Sequence, residues 1–221
     1  MFAREENWIG QLPPTVQAAI LERMTPIDFA PGEEICRAGS PALRMHQVER
    51  GHVKLAGLHE DGRQSFIAIY VKGNCFSESA IVSRRDFHHT TLALTQTRIR
   101  VLTQSDFWDL YHRHPEIPDA LCRKFAGTLS LQMAASEMRA NHRLGKRIAL
   151  MFENLAAHCA EIRTGDSATI ALPFTQADIG DHFDVTRQSI QREITALKAM
   201  GILDKYLGRW VIRDLGKLAR I

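Results

Sequence analysis

Residues 174–197, FTQADIGDHFDVTRQSIQREITAL, permit few folds. Thr175 and Thr186 each precede a short run with helical spacing, and threonine is a residue that closes helix N-termini with its side chain. Asp178, three residues after Thr175, approximates a capping box. The break between the two runs falls at Asp184-Val185, and aspartate is among the few non-glycine residues that accept positive φ there. In the second run Ile190, Ile194 and Leu197 recur at i, i+4 and i+7, an apolar stripe. Gln188, Gln191, Arg192 and Thr195 lie on the opposite face. The spacing predicts two helices joined by a tight turn, one side of the second buried and the other bearing planar amides and a guanidinium. A helix built only for solubility would carry Glu and Lys on that face.

Paired hydrogen bonds from such groups match base edges in a DNA major groove. Backbone N–H groups near Thr175 and Thr186 are placed to hold phosphates, because helix N-termini favour anions. The candidate DNA-contacting residues are therefore Thr175, Gln176, Thr186, Arg187, Gln188, Ser189, Gln191 and Arg192. The alternative is an ordinary αα-hairpin whose Gln and Arg side chains are merely solvated.

Upstream, residues 27–104 alternate short apolar runs with turn residues, punctuated by Gly32, Gly39, Gly51, Gly57, Gly62 and Gly73. Strands are predicted at Met45–Glu49, Val53–Leu58, Ser65–Val71, Thr90–Leu94 and Ile99–Thr103, after a short helix near Pro14–Met24. Regular short strands with glycine turns suggest a small antiparallel sandwich or barrel.

A long helix is predicted from about Pro118 to His142. Cys122, Phe125, Leu129, Gln132, Ser136 and Arg139 recur at alternating spacings of three and four, a coiled-coil seam. Leu121, Thr128, Leu131, Ala135 and Met138 form a second stripe. Two stripes require two partners, the chain's own sheet and the same helix of a second subunit. The dimer interface is thus expected at Cys122, Phe125, Leu129, Gln132 and Ser136. A single broad face buried within a monomer is the alternative. After the paired helices, Leu203–Tyr206 and Trp210–Arg213 flank Leu207-Gly208-Arg209 like the wing of a winged helix, and Asp214 can cap a last short helix. The expected class is α+β, divided into a β domain over residues 1–113 (to which the resemblance given below assigns a sensor role), a dimerisation helix over 114–143 and a winged helix-turn-helix over 144–221.

Charge fits this layout. The chain carries 28 Lys and Arg against 25 Asp and Glu. Between Arg113 and Arg147, however, seven basic residues face three acidic ones, so positive charge collects on the approach to the paired helices. No apolar run is long enough to span a bilayer, and residues 1–8, MFAREENW, lack a signal-peptide core, so a cytoplasmic location is expected. Cys36, Cys75, Cys122 and Cys159 lie far apart with no CxxC pair, which argues against a disulfide framework, a zinc site or an iron–sulfur cluster. No HExxH, GxSxG or phosphate loop supports an enzyme.

This order of β domain, long helix and winged helix-turn-helix resembles the Crp/Fnr family of bacterial transcription regulators. The resemblance is carried by Pro31-Gly32-Glu33, Gly39, Gly51-His52-Val53, Asp61-Gly62-Arg63, Gly73 to Glu78 and Gly145 to Ala149. Most specific is Thr186-Arg187-Gln188-Ser189-Ile190-Gln191-Arg192, where the family favours S/T-R-E-T-V-x-R. The resemblance implies a β-roll like the cyclic-nucleotide-binding domain, a homodimer, a two-fold symmetric DNA operator and RNA polymerase as a partner. It implies an effector pocket around Glu78, His88, His89, Gln132 and Met133. Cyclic AMP is not supported, because the family's phosphate-binding Arg-Ser falls on a segment reading Phe87-His88-His89-Thr90-Thr91. The adenine-contacting Thr-Ser falls on Gln132-Met133. The N-terminal cysteines of oxygen-sensing members are missing from residues 1–35. Cys75, His88 and His89 are of the types that ligate haem, but histidines on such strands are ordinarily solvated, so haem is not expected. The effector stays open. A ligand-binding module whose helix-turn-helix makes protein contacts is the competing function.

Overall fold

The structure, a computed structural model, describes residues 3–4, 7–58 and 64–221. The Asp61-Gly62-Arg63 motif lies outside the described residues. Among the described residues the N-terminal region holds nine strands: β1 (Ala3–Arg4), β2 (Thr25–Phe29), β3 (Glu34–Cys36), β4 (Arg44–Arg50), β5 (Val53–Leu58), β6 (Gln64–Tyr70), β7 (Cys75–Phe76), β8 (Thr90–Ala93) and β9 (Thr97–Thr103). They form two sheets, ordered β1-β6-β5-β8-β3 and β2-β9-β4-β7. All pairings are antiparallel except the short β1, which runs parallel to β6. Cys36, Val48, Val53, Tyr70, Phe76, Ile99 and Val101 fill the space between the sheets. All five expected strands are present, each within two residues of its expected ends. Gly51 turns β4 into β5 at φ +86, and a Cβ there would lie 2.5 Å from the Gln96 carbonyl oxygen, so only glycine fits.

Helices close one end of this roll. The first, α1 (Pro14–Arg23), follows the expected bounds, while α2 (Glu78–Ser83) and α3 (Gln104–Arg113) were not anticipated. Trp8, Ile20, Ile81, Leu102, Phe107, Leu110 and Leu121 form the core they share. The long helix α4 runs Glu116–Asn141, starting two residues earlier than expected. Proline at its third position costs little, because first-turn N–H groups have no intrahelical acceptor.

Residues 144–221 form α5 (Leu144–His158), β10 (Ile162–Thr164), β11 (Ser167–Ile170), α6 (Gln176–Phe183), α7 (Arg187–Ala199), β12 (Leu203–Tyr206), β13 (Arg209–Ile212) and α8 (Leu215–Ala219). The sheet order is β10-β11-β13-β12. Phe152, Phe174 and Trp210 pack ring on ring at its centre, with centroids 5.1–6.3 Å apart. This core does not stop at the domain edge. Phe66, Ile69 and Val71, from β6 and just beyond it, belong to the same buried cluster as Ile179 and Ile190. Among the described residues no helix is long and apolar enough to cross a membrane.

Candidate nucleic-acid interface

The α6–α7 pair is built by its caps. The Thr175 hydroxyl accepts from the Asp178 N–H at 3.1 Å, and Asp178 Oδ2 accepts from the Thr175 N–H at 2.8 Å, closing a full capping box. Asp184 ends α6 in the left-handed region at φ 56, ψ 49. Two residues later the Thr186 hydroxyl accepts from the Ser189 N–H at 3.2 Å and starts α7. One residue escaped the sequence reading. Gly180 sits inside α6, and a Cβ on it would lie 2.8 Å from the Val185 carbonyl oxygen. The turn can therefore fold tightly against α6, and the Val185 N–H bonds back to the Gly180 carbonyl at 3.0 Å. The signal was a glycine four residues before the turn, where the close approach of the Val185 carbonyl leaves no room for a Cβ.

The faces of α7 divide as its spacing predicts. Ile190, Ile194 and Leu197 are buried, whereas Arg187, Gln188, Gln191, Arg192 and Thr195 are exposed. The side chains of Arg187 and Gln188 have no hydrogen-bond partner among the described residues, leaving their donors free. Gln191 Nε2 donates to the Thr195 hydroxyl at 3.3 Å, which restrains one end of the row. Ser189 is half-buried and its hydroxyl lies 3.0 Å from that of Thr186, so it serves the cap. Thr175 is exposed and Gln176 half-buried at the start of α6. The wing follows: Tyr206 and Leu207 are 68% and 83% exposed at its tip, and Lys205 lies 4.6 Å over the Trp210 ring. A row of exposed donors, of which Gln191 meets Thr195 and Arg192 lies 3.7 Å from Glu193, on a helix anchored by its opposite face can address base edges.

On α4, the stripe Leu121, Thr128, Leu131, Ala135 and Met138 is buried or half-buried against its own chain. The seam faces outward. Cys122, Gln132 and Ser136 are exposed, and Leu129 and Met133 are each 61% exposed. Phe125 differs from its neighbours, packing partly on the core formed by α1–α3.

The five residues expected to line an effector pocket are not gathered. Glu78 is buried, and its Oε1 accepts from the Trp8 indole N–H at 2.6 Å and from Lys124 Nζ at 2.9 Å. His88 and His89 are exposed side by side, ring centroids 6.5 Å apart. Gln132 lines a cleft of about 590 Å³ with Phe66, Arg139, Arg147 and His182, and none of the other four lines it. Met133 points outward with the seam. Glu78 and Lys124 are 46 residues apart, a pairing that local sequence does not reveal.

Inside the roll the structure instead places a buried cluster that the sequence did not suggest. Tyr70 stacks on Phe76 at 5.2 Å and Phe76 on His46 at 4.9 Å. His46 Nδ1 lies 2.9 Å from the Ser77 hydroxyl, and Cys36 Sγ lies 3.8 Å from the same ring. Burial, helped by Arg44, lowers the His46 imidazole to about 4, and burial raises the Cys36 thiol. Both groups are therefore neutral at pH 7. Cys75 is also buried, its thiol raised well above the ordinary value by burial and by Glu78.

Comparison with known proteins agrees with this fold. A family model described as a cyclic nucleotide-binding domain matches residues 26–114, and one described as a Crp-like helix-turn-helix domain matches residues 146–221. The nitrogen fixation regulation protein FixK of Rhizobium meliloti is 24% identical over 179 residues, covering 79% of this chain and 76% of that protein. The CRP-like cAMP-activated global transcriptional regulator of Mycobacterium tuberculosis is 22% identical over 215 residues, covering 94% and 92%. The solved structure of FixK2 from Bradyrhizobium japonicum superposes with a TM-score of 0.74 at 23% identity, covering 89% of this chain and 96% of that one.

Proposed function

The chain belongs to the Crp/Fnr family of transcription regulators, and we propose that it acts in the cytoplasm as a homodimer reading two-fold symmetric DNA. The observation that carries the proposal is α7 itself: three buried aliphatic residues on one side, and Arg187, Gln188, Gln191 and Arg192 exposed on the other. Those four enter the major groove, while N–H groups at the starts of α6 and α7 meet phosphates. Residues 1–113 act as the sensor, 114–143 as the dimerisation helix and 144–221 as the DNA-binding domain. The outward seam on α4, with Leu129 61% exposed and Cys122, Gln132 and Ser136 exposed in the same row, meets its own copy across the two-fold axis, and Met133, also 61% exposed, lies beside it. RNA polymerase is the further partner through which bound dimers act. Cyclic AMP remains an unsupported effector, since Glu78 is committed to Trp8 and Lys124.

Selection of bound sequences from a random duplex pool tests this. The expected result is one enriched, two-fold symmetric motif whose binding weakens steeply with salt, because neutralised phosphates release counterions. Absence of any enriched motif would favour the competing reading, in which the helix-turn-helix makes protein contacts.

A further inference from the structure

We propose that Lys54 of the sensor sheet is a specificity-determining residue, setting the half-site spacing that the dimer accepts by tying the helix-turn-helix to the sensor through Asp178. Lys54 lies on β5 and its Nζ is 3.0 Å from Asp178 Oδ1, with the two side chains only 15% and 21% exposed. The same Nζ sits 4.9 Å over the Phe66 ring of β6. Asp178 Oδ2 is meanwhile occupied by the Thr175 N–H at 2.8 Å and the Thr175 hydroxyl at 2.7 Å. One carboxylate thus closes the start of α6 with one oxygen and fastens it to the sensor with the other.

A second anchor lies one helical turn along. His182 Nδ1 is 3.3 Å from the Phe66 carbonyl oxygen, so positions 178 and 182 both hold α6 against β5 and β6. Positions i and i+4 share a helix face, and two fastenings on one face resist rotation about the helix axis. Because the turn packs closely on Gly180, α7 follows α6 as a unit. The other connection between this unit and α4 passes through α5 and the short link at residues 142–143. With the dock intact, the separation of the two α7 helices in a dimer is fixed by the sensor and α4 together. Without it, the helix-turn-helix keeps the apolar contact of Phe66, Ile69 and Val71 with Ile179 and Ile190, which is not directional and lets it swing on that link.

This rests on the dimeric DNA-binding reading above. The test compares wild type with Lys54→Met, which keeps the stem over Phe66, and Asp178→Asn, which keeps an acceptor for the Thr175 N–H. Lys54→Arg serves as the charge-keeping control. Fluorescence anisotropy measures affinity for symmetric duplexes whose half-sites are moved apart or together by one or two base pairs, and for a single half-site. Wild type and Lys54→Arg should lose about tenfold or more per step of altered spacing, and Lys54→Met and Asp178→Asn less than about threefold. Half-site affinity should stay within about twofold in all, and the double variant should match either single, as expected for one shared contact. An unchanged spacing profile in both variants overturns the proposal. So does an equal loss on the single half-site, which would mark the pair as merely structural. A wild type with no spacing preference would instead overturn the dimeric reading beneath it.

Discussion

The ammonium of Lys124 on α4 lies 2.9 Å from the Glu78 carboxylate on α2, and the two side chains are 8% and 2% exposed. Lys124 also donates to the Cys75 carbonyl at 2.7 Å, so the long helix is pinned to the floor of the sensor by one side chain. Removing one partner of a buried pair strands the other charge, at a cost of about 3–5 kcal/mol. Lys124→Met is expected to destabilise by that order in urea denaturation at pH 7. A loss below about 1 kcal/mol would show that the pair contributes little.

Gly180→Ala places a methyl group 2.8 Å from the Val185 carbonyl oxygen, and that oxygen is backbone that cannot step aside alone. Relief requires the turn to move away from α6, at a cost of about 1–3 kcal/mol. Melting temperature should fall and DNA affinity with it, because α7 is displaced from its seat. Unchanged melting and affinity would show that the turn adapts freely.

His46 makes stability depend on pH. Burial first, and Arg44 second, hold its imidazole at about 4 in the native state, against 6.5 when exposed. Between those values the unfolded chain binds the extra proton, so stability drops as pH falls through that window and levels off below it. The loss by pH 4.5 amounts to roughly 2–3 kcal/mol from this residue. Burial also lowers His52, His89 and His182, which add slopes of the same sign, so the comparison is between variants. His46→Phe, which preserves the stack on Phe76, should shrink the difference between pH 7 and pH 4.5 by that amount. An unaltered difference would mean that His46 titrates normally.

Leu129 and Met133 are apolar, exposed and close on α4, where a lone helix face would be polar. Leu129→Glu with Met133→Glu sets like charges against their copies at the two-fold axis. Sedimentation should then show monomers with an unaltered helical spectrum. A persisting dimer would place the interface elsewhere. Phe125 is a poorer probe, since it also packs within its own chain.

What the sequence revealed follows from the range of the interactions. The caps at Thr175, Thr186 and Asp214 and the stripes on α4 and α7 are written within four residues, and all are present. The strands β4, β5, β6, β8 and β9 each hold four or more residues and are set off by turn residues. Two-residue β7 and three-residue β3 are too short for any period, and Pro26 masks β2. The helix α3 buries only Phe107 and Leu110, and its Phe, Trp, Tyr and Asp are indifferent helix formers. The β10–β11 hairpin turns at Gly165, φ +55, a cue that could have been read. The recognition face was legible because helical spacing fixes it. The partners of Glu78 were not, since Trp8 and Lys124 are 70 and 46 residues away.

Base preference at α7 bears most directly on the central claim that this helix reads DNA. Gln188, exposed and without a partner among the described residues, offers both a donor and an acceptor, which suits adenine N6 and N7. Glutamate at that position can only accept, which suits the cytosine amino group. The measurement is the affinity of wild type, Gln188→Glu and Arg192→Ala for every single-base variant of the selected half-site, at one salt concentration. Gln188→Glu is predicted to change the preferred base at one symmetric pair of positions. Arg192→Ala should erase preference at another, by about 1–3 kcal/mol of discrimination. If all three proteins share one preference at every position, α7 does not touch the bases.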